Sequence, residues 1–217
     1  MTTRKRIGIL ISGRGTNMAA LIEAAKNPAY PAEIALVVSN RPEAAGLERA
    51  AKAGIKTAVV DHKPFGQDRE AFERALDATL RAHDIEFLCL AGFMRLLTPW
   101  LVDSWAGRMI NIHPALLPSF KGLNTHARAL EAGVRLHGAT VHFVTNDMDG
   151  GPIIAQAAVP VLSGDDPETL AARVLDAERV LYPLSLDLVA SGRARLEDGR
   201  VHVTEAMEPR APLIWPI

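Results

Sequence analysis

The feature that most constrains the fold is an apolar run near the start of the chain that ends in a glycine-containing turn. Residues 7–11 read IGILI, and an uninterrupted run of this kind is typical of a parallel strand buried on both faces. The turn at 12–17, SGRGTN, leads into a segment with Leu21, Ile22 and Ala25 on one helical stripe. Together they predict an α/β protein with a Rossmann-like open, mostly parallel sheet and helices on both faces.

The same turn predicts an anion-binding site. Backbone N–H groups and the helix dipole favour a negative group at a helix N-terminus. Met18 stands where the dinucleotide fingerprint has its third glycine, and no Gly-Lys-Ser/Thr follows, so neither that fingerprint nor a P-loop is present. The second predicted strand, 34–38, ends without an acidic residue for an adenosine ribose. We therefore expect a small phosphorylated ligand, with a purely structural turn as the alternative.

A second candidate site lies at residues 109–113, MINIH, a predicted strand that ends before Pro114. Because side chains alternate along a strand, Asn111 and His113 face one side of it. Ligands bind at the carboxyl ends of strands in open α/β sheets. An amide donor and a titratable imidazole could serve catalysis there, although both residue types are also common in turns.

Periodicity predicts the remaining elements of a single domain over residues 1–217. Strands are predicted at 57–60, 87–90, 139–144 and 153–161, and helices at 43–53, 125–132 and 168–188, with another helix capped by Asp68. Residues 91–97 are predicted to be a loop that could line a slot for a flat ligand, and the segment from Gly192 a peripheral hairpin and tail. Glu178 falls on the apolar stripe of the last helix, where a carboxylate needs either a structural partner or a ligand.

Composition excludes several classes of function. The 217 residues are 48% hydrophobic and carry a formal net charge of −1, which gives no bulk attraction to nucleic acid or to a membrane surface. We expect the basic run at 4–6 to be solvated. The single cysteine, Cys89, lies in an apolar run and is expected to be a buried, unreactive thiol in a reducing, cytoplasmic protein. His137 and His142 would face opposite ways on one strand, so no metal site is predicted.

Several motifs together resemble the glycinamide ribonucleotide formyltransferases, folate-dependent enzymes of purine synthesis. The motifs are SGRGTN at 12–17, AGFMR at 91–95, NIHPALLP at 111–118, HGATVH at 137–142, DGG at 149–151, and Glu178 before Tyr182 and Pro183. They run from the first strand to about residue 205. The Asn-x-His-Pro…Leu-Leu-Pro signature with a downstream Asp is specific to enzymes that handle formyl groups on folate. The resemblance therefore implies the formyltransferase fold.

The resemblance implies transfer of a formyl group from the cosubstrate 10-formyltetrahydrofolate to the primary amine of 5-phosphoribosyl-glycinamide. It implies that Gly15, Thr16 and Asn17 hold the substrate phosphate and that Glu178 meets the ribose or the neighbouring polar groups. It also implies that Asn111, His113 and Asp149 are catalytic. The residues that would bind folate are Arg69, Met94, Arg95, Leu96, Leu97, Asn111, Thr145, Asn146, Asp147, Met148 and Asp149. These small molecules would be its partners, without metal, nucleic acid or membrane, and the chain would be a monomer or a homodimer.

These residue types suit that reaction. Attack of an amine on the formyl carbon creates a negative oxygen, to which Asn111 and a protonated His113 can donate hydrogen bonds. Asp149 beside His113 would raise the pKa of the imidazole and could relay a proton from the amine to the departing folate nitrogen. Thr16 stands where the family often has Ser, and Asn146 where an acidic residue is common. Arg14 adds a cation to the phosphate turn.

Three alternatives remain open on sequence alone. A 10-formyltetrahydrofolate hydrolase shares the catalytic stretch but usually carries an additional N-terminal domain, for which the first strand leaves no room. Formyltransferases that act on aminoacyl-tRNA or sugar nucleotides add a C-terminal domain, which is not expected here. A non-catalytic folate- or nucleotide-binding module would keep the fold alone, although intact Asn111, His113 and Asp149 favour catalysis.

Overall fold

The apolar runs of the chain form a seven-stranded sheet, and the segments with helical periodicity cover both of its faces. The computed structural model describes residues 4–204. The strands are β1 (Lys5–Ile11), β2 (Ala32–Ser39), β3 (Thr57–Val59), β4 (Phe87–Leu90), β5 (Met109–His113), β6 (Leu136–Phe143), β7 (Ile153–Pro160), β8 (Ala194–Glu197) and β9 (Arg200–Val203). The helices are α1 (Thr16–Ala25), α2 (Ala45–Lys52), α3 (Arg69–Arg81), α4 (Pro99–Ser104), α5 (Thr125–Glu131) and α6 (Pro167–Ala190), with a 3₁₀ helix at Lys63–Phe65.

The order of strands in the sheet is β3-β2-β1-β4-β5-β6-β7. The first five strands pair in parallel, and β6 and β7 extend the sheet in antiparallel fashion. The strands β8 and β9 form a separate hairpin. The prediction of an open, mostly parallel Rossmann-like sheet is therefore confirmed.

Alternating side chains of the central strands pack into two apolar cores, one on each face of the sheet. Ile9 packs in one core with Met18 of α1 and Leu181 of α6, whereas its neighbour Leu10 packs in the other with Leu76 of α3. This alternation explains the uninterrupted apolar run, since both faces of β1 are covered by helices. The prediction of helices on both faces is confirmed.

The strand order reverses direction between β1 and β4, which places a crevice at their carboxyl ends. From β1 the chain builds outward through β2 and β3, and from β4 it builds outward on the other side. Loops that follow β1 and β4 therefore leave in opposite directions, and ligands of open α/β sheets bind at such a switch point. Tyr182 of α6 reaches under this region, with its hydroxyl 3.0 Å from the Leu90 carbonyl oxygen and 3.2 Å from that of Ile110.

Some local expectations were wrong or incomplete. The basic run at 4–6 is not simply solvated, because the Arg4 guanidinium donates to the carbonyls of Ala25 and Ala32 and Arg6 pairs with Glu33 at 2.6 Å. The short helix α4 was not predicted, since six residues are too few to show helical periodicity. Cys89 is buried as expected. The proline-rich end of the chain lies outside the described residues. Within 4–204, no helix has the length and apolar character needed to cross a membrane.

Candidate active site

The N-terminus of α1 offers backbone donors that no side chain caps. Gly15 is the N-cap residue, and its φ of 68° lies in the left-handed region that favours glycine. A Cβ atom at this position would lie 2.8 Å from Cε of Met18. Thr16 and Asn17 are the first helical residues, so their N–H groups have no partner within the helix. The end of α1 therefore leaves backbone donors available for an anionic group, and the anion site remains a prediction.

Asn17 and Glu178 meet behind this helix end. The Asn17 side-chain amide donates to the Glu178 carboxylate at 2.8 Å, and the two residues are 9% and 7% exposed. Burial raises the pKa of Glu178, and the hydrogen bond from Asn17 opposes that rise. The Asn17 Oδ1 atom is buried and has no hydrogen-bond partner. This unpaired acceptor beside a carboxylate suits a ligand that brings hydroxyl or amine donors.

Asp149 lies against His113 at the end of β5. The His113 Nδ1 atom is 3.5 Å from a carboxylate oxygen of Asp149, and the two side chains are 7% and 12% exposed. Asp149 has a φ of 51°, and the turn that carries it continues through Gly151. A Cβ atom on Gly151 would fall 1.8 Å from the Phe143 carbonyl oxygen, so glycine permits the chain to return this close to β6. The predicted proximity of His113 and Asp149 is present.

The loop after β5 holds both members of this pair. The Phe120 carbonyl lies 3.0 Å from His113 Nε2, and the Gly122 N–H donates to Asp149 Oδ2 at 2.8 Å. Because a carbonyl oxygen can only accept, His113 Nε2 carries a proton in this arrangement. The other ring nitrogen is thereby turned toward the carboxylate. The orientation of His113 is therefore set from both sides.

His142 is a member of the site that sequence analysis missed. It is the direct cross-strand partner of Asn111 in the antiparallel β5–β6 ladder. Its Nδ1 atom lies 2.9 Å from the Phe143 carbonyl, which can only accept, so a neutral ring leaves Nε2 as an acceptor. Burial lowers the pKa of His142 and favours that neutral form. The Nε2 atom is 3.3 Å from Asn111 Nδ2 and 3.9 Å from an Asp149 oxygen, so His142 orients the Asn111 amide with its nitrogen toward the site.

The loop after β4 exposes two apolar side chains beside the crevice. Met94 and Leu96 are 69% and 61% exposed, while the Arg95 guanidinium lies 5.2 Å from the centre of the Phe72 ring. Exposed apolar side chains at the edge of a crevice suit a flat, partly apolar ligand. Leu97, the last of the predicted loop residues, is partly buried against the core that contains α3.

The loop before Asp149 is tied down by its polar side chains. Asn146 donates to Asp103 at 3.1 Å, Asp147 pairs with Lys121 at 3.1 Å, and the Thr145 hydroxyl donates to the Asp147 carbonyl at 3.3 Å. Met148 remains 53% exposed. Arg69, the remaining predicted folate residue, is exposed at the first position of α3.

Two cavities bear on where a ligand could lie. A small cavity of about 100 Å³ adjoins Asp149 and is lined by Leu117, Lys121 and Gly151 among others. A wider cleft of about 570 Å³ lies at the opposite, amino-terminal edge of the parallel strands, near Lys5 and Phe87, away from the groups described above. We therefore assign the candidate site to the carboxyl edge of the sheet because of the residues found there, although the larger cavity lies at the other edge. Among residues 4–204, no group of three or more His, Cys, Asp or Glu side chains is arranged to hold a metal ion.

Comparison with known proteins assigns the family. The family described as "Formyl transferase" matches residues 5–186. The chain is 45% identical to phosphoribosylglycinamide formyltransferase of Escherichia coli, over 88% of this chain and 90% of that protein. A crystal structure of glycinamide ribonucleotide transformylase 1 from Symbiobacterium toebii superposes with a TM-score of 0.89 at 45% identity, covering 92% of this chain and 94% of the other.

A longer relative matches equally well over part of its length. The chain is 51% identical to the trifunctional purine biosynthetic protein adenosine-3 of Gallus gallus over 92% of this chain, but spans only 20% of that protein. The bacterial relatives are of nearly the same length as the chain. The chain therefore belongs to the formyl transferase family, among the phosphoribosylglycinamide formyltransferases.

Proposed function

We propose that this chain transfers the formyl group of 10-formyltetrahydrofolate to the primary amine of 5-phosphoribosyl-glycinamide. The observation that carries the proposal is the group formed by Asn111, His113 and Asp149 at the end of β5, within a crevice whose other wall is the uncapped N-terminus of α1. The oxyanion site follows β5 and the phosphate site follows β1, and only β4 lies between these strands. A transfer between a folate and a small phosphorylated amine requires two such sites along one crevice.

The acceptor binds on the β1 side of the crevice. Its phosphate accepts hydrogen bonds from the N–H groups of Thr16 and Asn17 at the start of α1. Its ribose hydroxyls donate to Glu178 and to the unpaired Oδ1 atom of Asn17, which gives each buried acceptor a partner. The primary amine then points along the crevice toward the end of β5.

The donor binds on the β4 side. The backbone of the 94–97 loop hydrogen-bonds the flat ring of the folate, and Met94 and Leu96 cover its faces. The 145–149 loop closes the far side and brings Asp149 to the reacting nitrogen. Arg69 begins α3 near Glu73, which holds Thr98 at the end of this loop, and its guanidinium suits the acidic end of the folate.

The reaction proceeds by attack of the amine on the formyl carbon and release of the folate nitrogen. Asn111, oriented by His142, donates a hydrogen bond to the oxygen as its negative charge develops. His113 also donates a hydrogen bond to this oxygen from Nε2. The oxygen then replaces the Phe120 carbonyl as the acceptor of that hydrogen bond. Asp149 accepts the proton that the amine loses, directly or through water, and delivers it to the folate nitrogen. The formyl carbon exchanges one C–N bond for another, and the protein forms no covalent bond to it.

The proposal also covers the whole of residues 1–217 as one functional domain in the cytoplasm, acting as a monomer or a homodimer. A continuous sheet that contributes both substrate walls supports a single unit. A buried free cysteine fits a reducing compartment. Light scattering on the purified chain decides between monomer and homodimer.

The deciding experiment follows folate absorbance while 10-formyltetrahydrofolate is incubated with the protein, with and without 5-phosphoribosyl-glycinamide. Loss of the formyl group that depends on the amine, with formylated amine as product, is the expected result. Formyl loss to water at the same rate without the amine would identify a hydrolase instead. Folate binding without turnover in either mixture would leave a binding module.

A further inference from the structure

Ser12, the residue that follows β1, joins the two walls of the crevice through both its backbone and its side chain. Its N–H donates to the Gly92 carbonyl at 3.1 Å, and its hydroxyl oxygen accepts the Met94 N–H at 2.8 Å. Ser12 is only 6% exposed. One residue therefore holds two points of the loop that follows β4, while it also begins the turn that leads to Gly15 and α1.

The direction of the Ser12 hydroxyl is fixed by a third contact. Because the oxygen accepts from the Met94 N–H, its own proton is available, and it donates to Asn40 Oδ1 at 2.6 Å. Asn40 is 2% exposed and its side-chain nitrogen lies 3.2 Å from His62 Nδ1. The hydroxyl is thus buried, donates one hydrogen bond and accepts one, and links the ends of β1, β2 and β4.

The loop that Ser12 holds is also fixed at its far end. The Thr98 N–H donates to Glu73 of α3 at 2.7 Å, and the Thr98 hydroxyl donates to the same carboxylate. Between these two anchors, Met94 and Leu96 project into solvent. Leu97 packs partly against the core, but Met94 and Leu96 contribute little packing, so the polar contacts at the two ends help to set the position of the segment.

We propose that Ser12 is a positioning residue that sets the distance between the folate-binding loop and the phosphate-binding turn. The inference rests on the proposed function and deepens it, because it names the residue that holds the folate site at a fixed distance from the amine-substrate site. Without the hydroxyl the Met94 N–H loses its partner, and the backbone of 94–97 no longer keeps a single position for the folate ring. The phosphate turn keeps its own anchors, since the Gly46 N–H donates to the Gly13 carbonyl at 3.0 Å.

Ser12→Ala is tested against Ser39→Ala, a closely matched control. Ser39 ends β2, is 0% exposed, and its hydroxyl likewise accepts one N–H and donates to one carbonyl, but both belong to Arg41 in its own turn. We expect Ser12→Ala to raise KM for 10-formyltetrahydrofolate about fivefold to tenfold, the effect of one lost hydrogen bond. KM for the amine should stay within about twofold. Ser39→Ala should leave both KM values unchanged, because the Ser39 hydroxyl contacts Arg41 and not the 94–97 loop.

Two further measurements separate positioning from a general loss of stability. Amide hydrogen exchange at Met94 should accelerate in Ser12→Ala without substrates and stay slow in Ser39→Ala. Ser12→Thr, which keeps the hydroxyl, should restore most of the folate KM. An equal rise in both KM values, unchanged exchange at Met94, or a well-folded Ser12→Thr no better than Ser12→Ala would each overturn the proposal.

A variant at Asn40 covers the case in which Ser12→Ala does not fold. Asn40→Ala removes the acceptor for the Ser12 proton but leaves the Met94 contact possible, so we expect a smaller rise in folate KM of the same kind. A normal folate KM in Asn40→Ala would contradict the role given to the hydroxyl. If the wild-type chain transfers no formyl group, equilibrium dialysis of tetrahydrofolate tests the same variants, because weaker binding in Ser12→Ala does not depend on turnover.

Discussion

Asn17 and Glu178 are 161 positions apart in the chain and meet through a 2.8 Å hydrogen bond between α1 and α6. The contact places a carboxylate in a buried position, where burial raises its pKa above the usual value. Burial of a charge destabilises a protein unless the charge is partnered, and here a neutral amide is the partner that the described residues supply. The pair therefore costs stability that a substrate hydroxyl would recover.

Glu178→Gln should show this cost as a pH-dependent gain in stability. Since the folded pKa of Glu178 is raised, the folded state binds the proton more tightly than the unfolded state, and stability falls as pH rises through the raised value. Gln does not titrate, so the variant should gain stability relative to wild type between about pH 4.5 and pH 7. Urea unfolding at the two pH values measures the gain, and an equal difference at both would contradict the prediction.

Glu178→Ala should weaken use of the amine substrate more than use of the folate. The substitution removes the carboxylate that would accept hydrogen bonds from the amine substrate. It also leaves the Asn17 amide without its partner. We expect KM for 5-phosphoribosyl-glycinamide to rise by about tenfold to a hundredfold, as for the loss of charged hydrogen bonds. Steady-state kinetics with each substrate varied in turn checks this, with exposed Asp176→Ala of the same helix as control. A larger effect on the folate would move Glu178 out of the amine site.

His113→Ala should reduce turnover far more than binding. The ring lies against Asp149, and in the proposed reaction its Nε2 donates to the oxygen that becomes negative. Its loss would then remove an interaction made chiefly in the transition state. We expect kcat to fall by about 10²- to 10⁴-fold with folate affinity nearly unchanged. Equilibrium binding and single-turnover kinetics measure the two quantities, and exposed His202→Ala serves as control. Turnover near that of wild type would remove His113 from the catalytic group.

His137 should make the fold less stable in mild acid. It is 1% exposed, and burial, reinforced by the nearby His126, lowers its pKa to about 4. The unfolded state binds the proton more tightly, so stability is fully present above about pH 6.5 and is lost as pH falls toward 4, by about 3 kcal/mol. His137→Phe, which keeps a ring against Phe120, should flatten this part of the pH profile. An unchanged profile by denaturant unfolding would contradict the assignment.

The sequence predicted the parts of the site that depend on local order along the chain. Alternation along β5 predicted that Asn111 and His113 share a face, and the turn after β1 predicted the anion site at α1. His142 and Ser12 escaped prediction because their roles arise from pairing between distant segments. Alternation along β6 predicted that His137 and His142 face opposite sides of the sheet. Only the antiparallel register with β5 shows that His142 lies opposite Asn111. The loop contacts of Ser12 likewise require β4 beside β1.

Because Asn111 pairs with His142, the candidate site depends on the register between β5 and β6. A slip of one residue between β5 and β6 would turn His142 into the apolar core and bring Phe143, now 2% exposed, onto the polar face. The segment between these strands can therefore vary in length where its loops are exposed, while any change that shifts the ladder by one position loses core and site together. Insertions in the exposed loop after α5, residues 132–135, should accordingly be tolerated. Insertions at the strand ends, or in the loop after β5 that contacts His113 and Asp149, should be rejected.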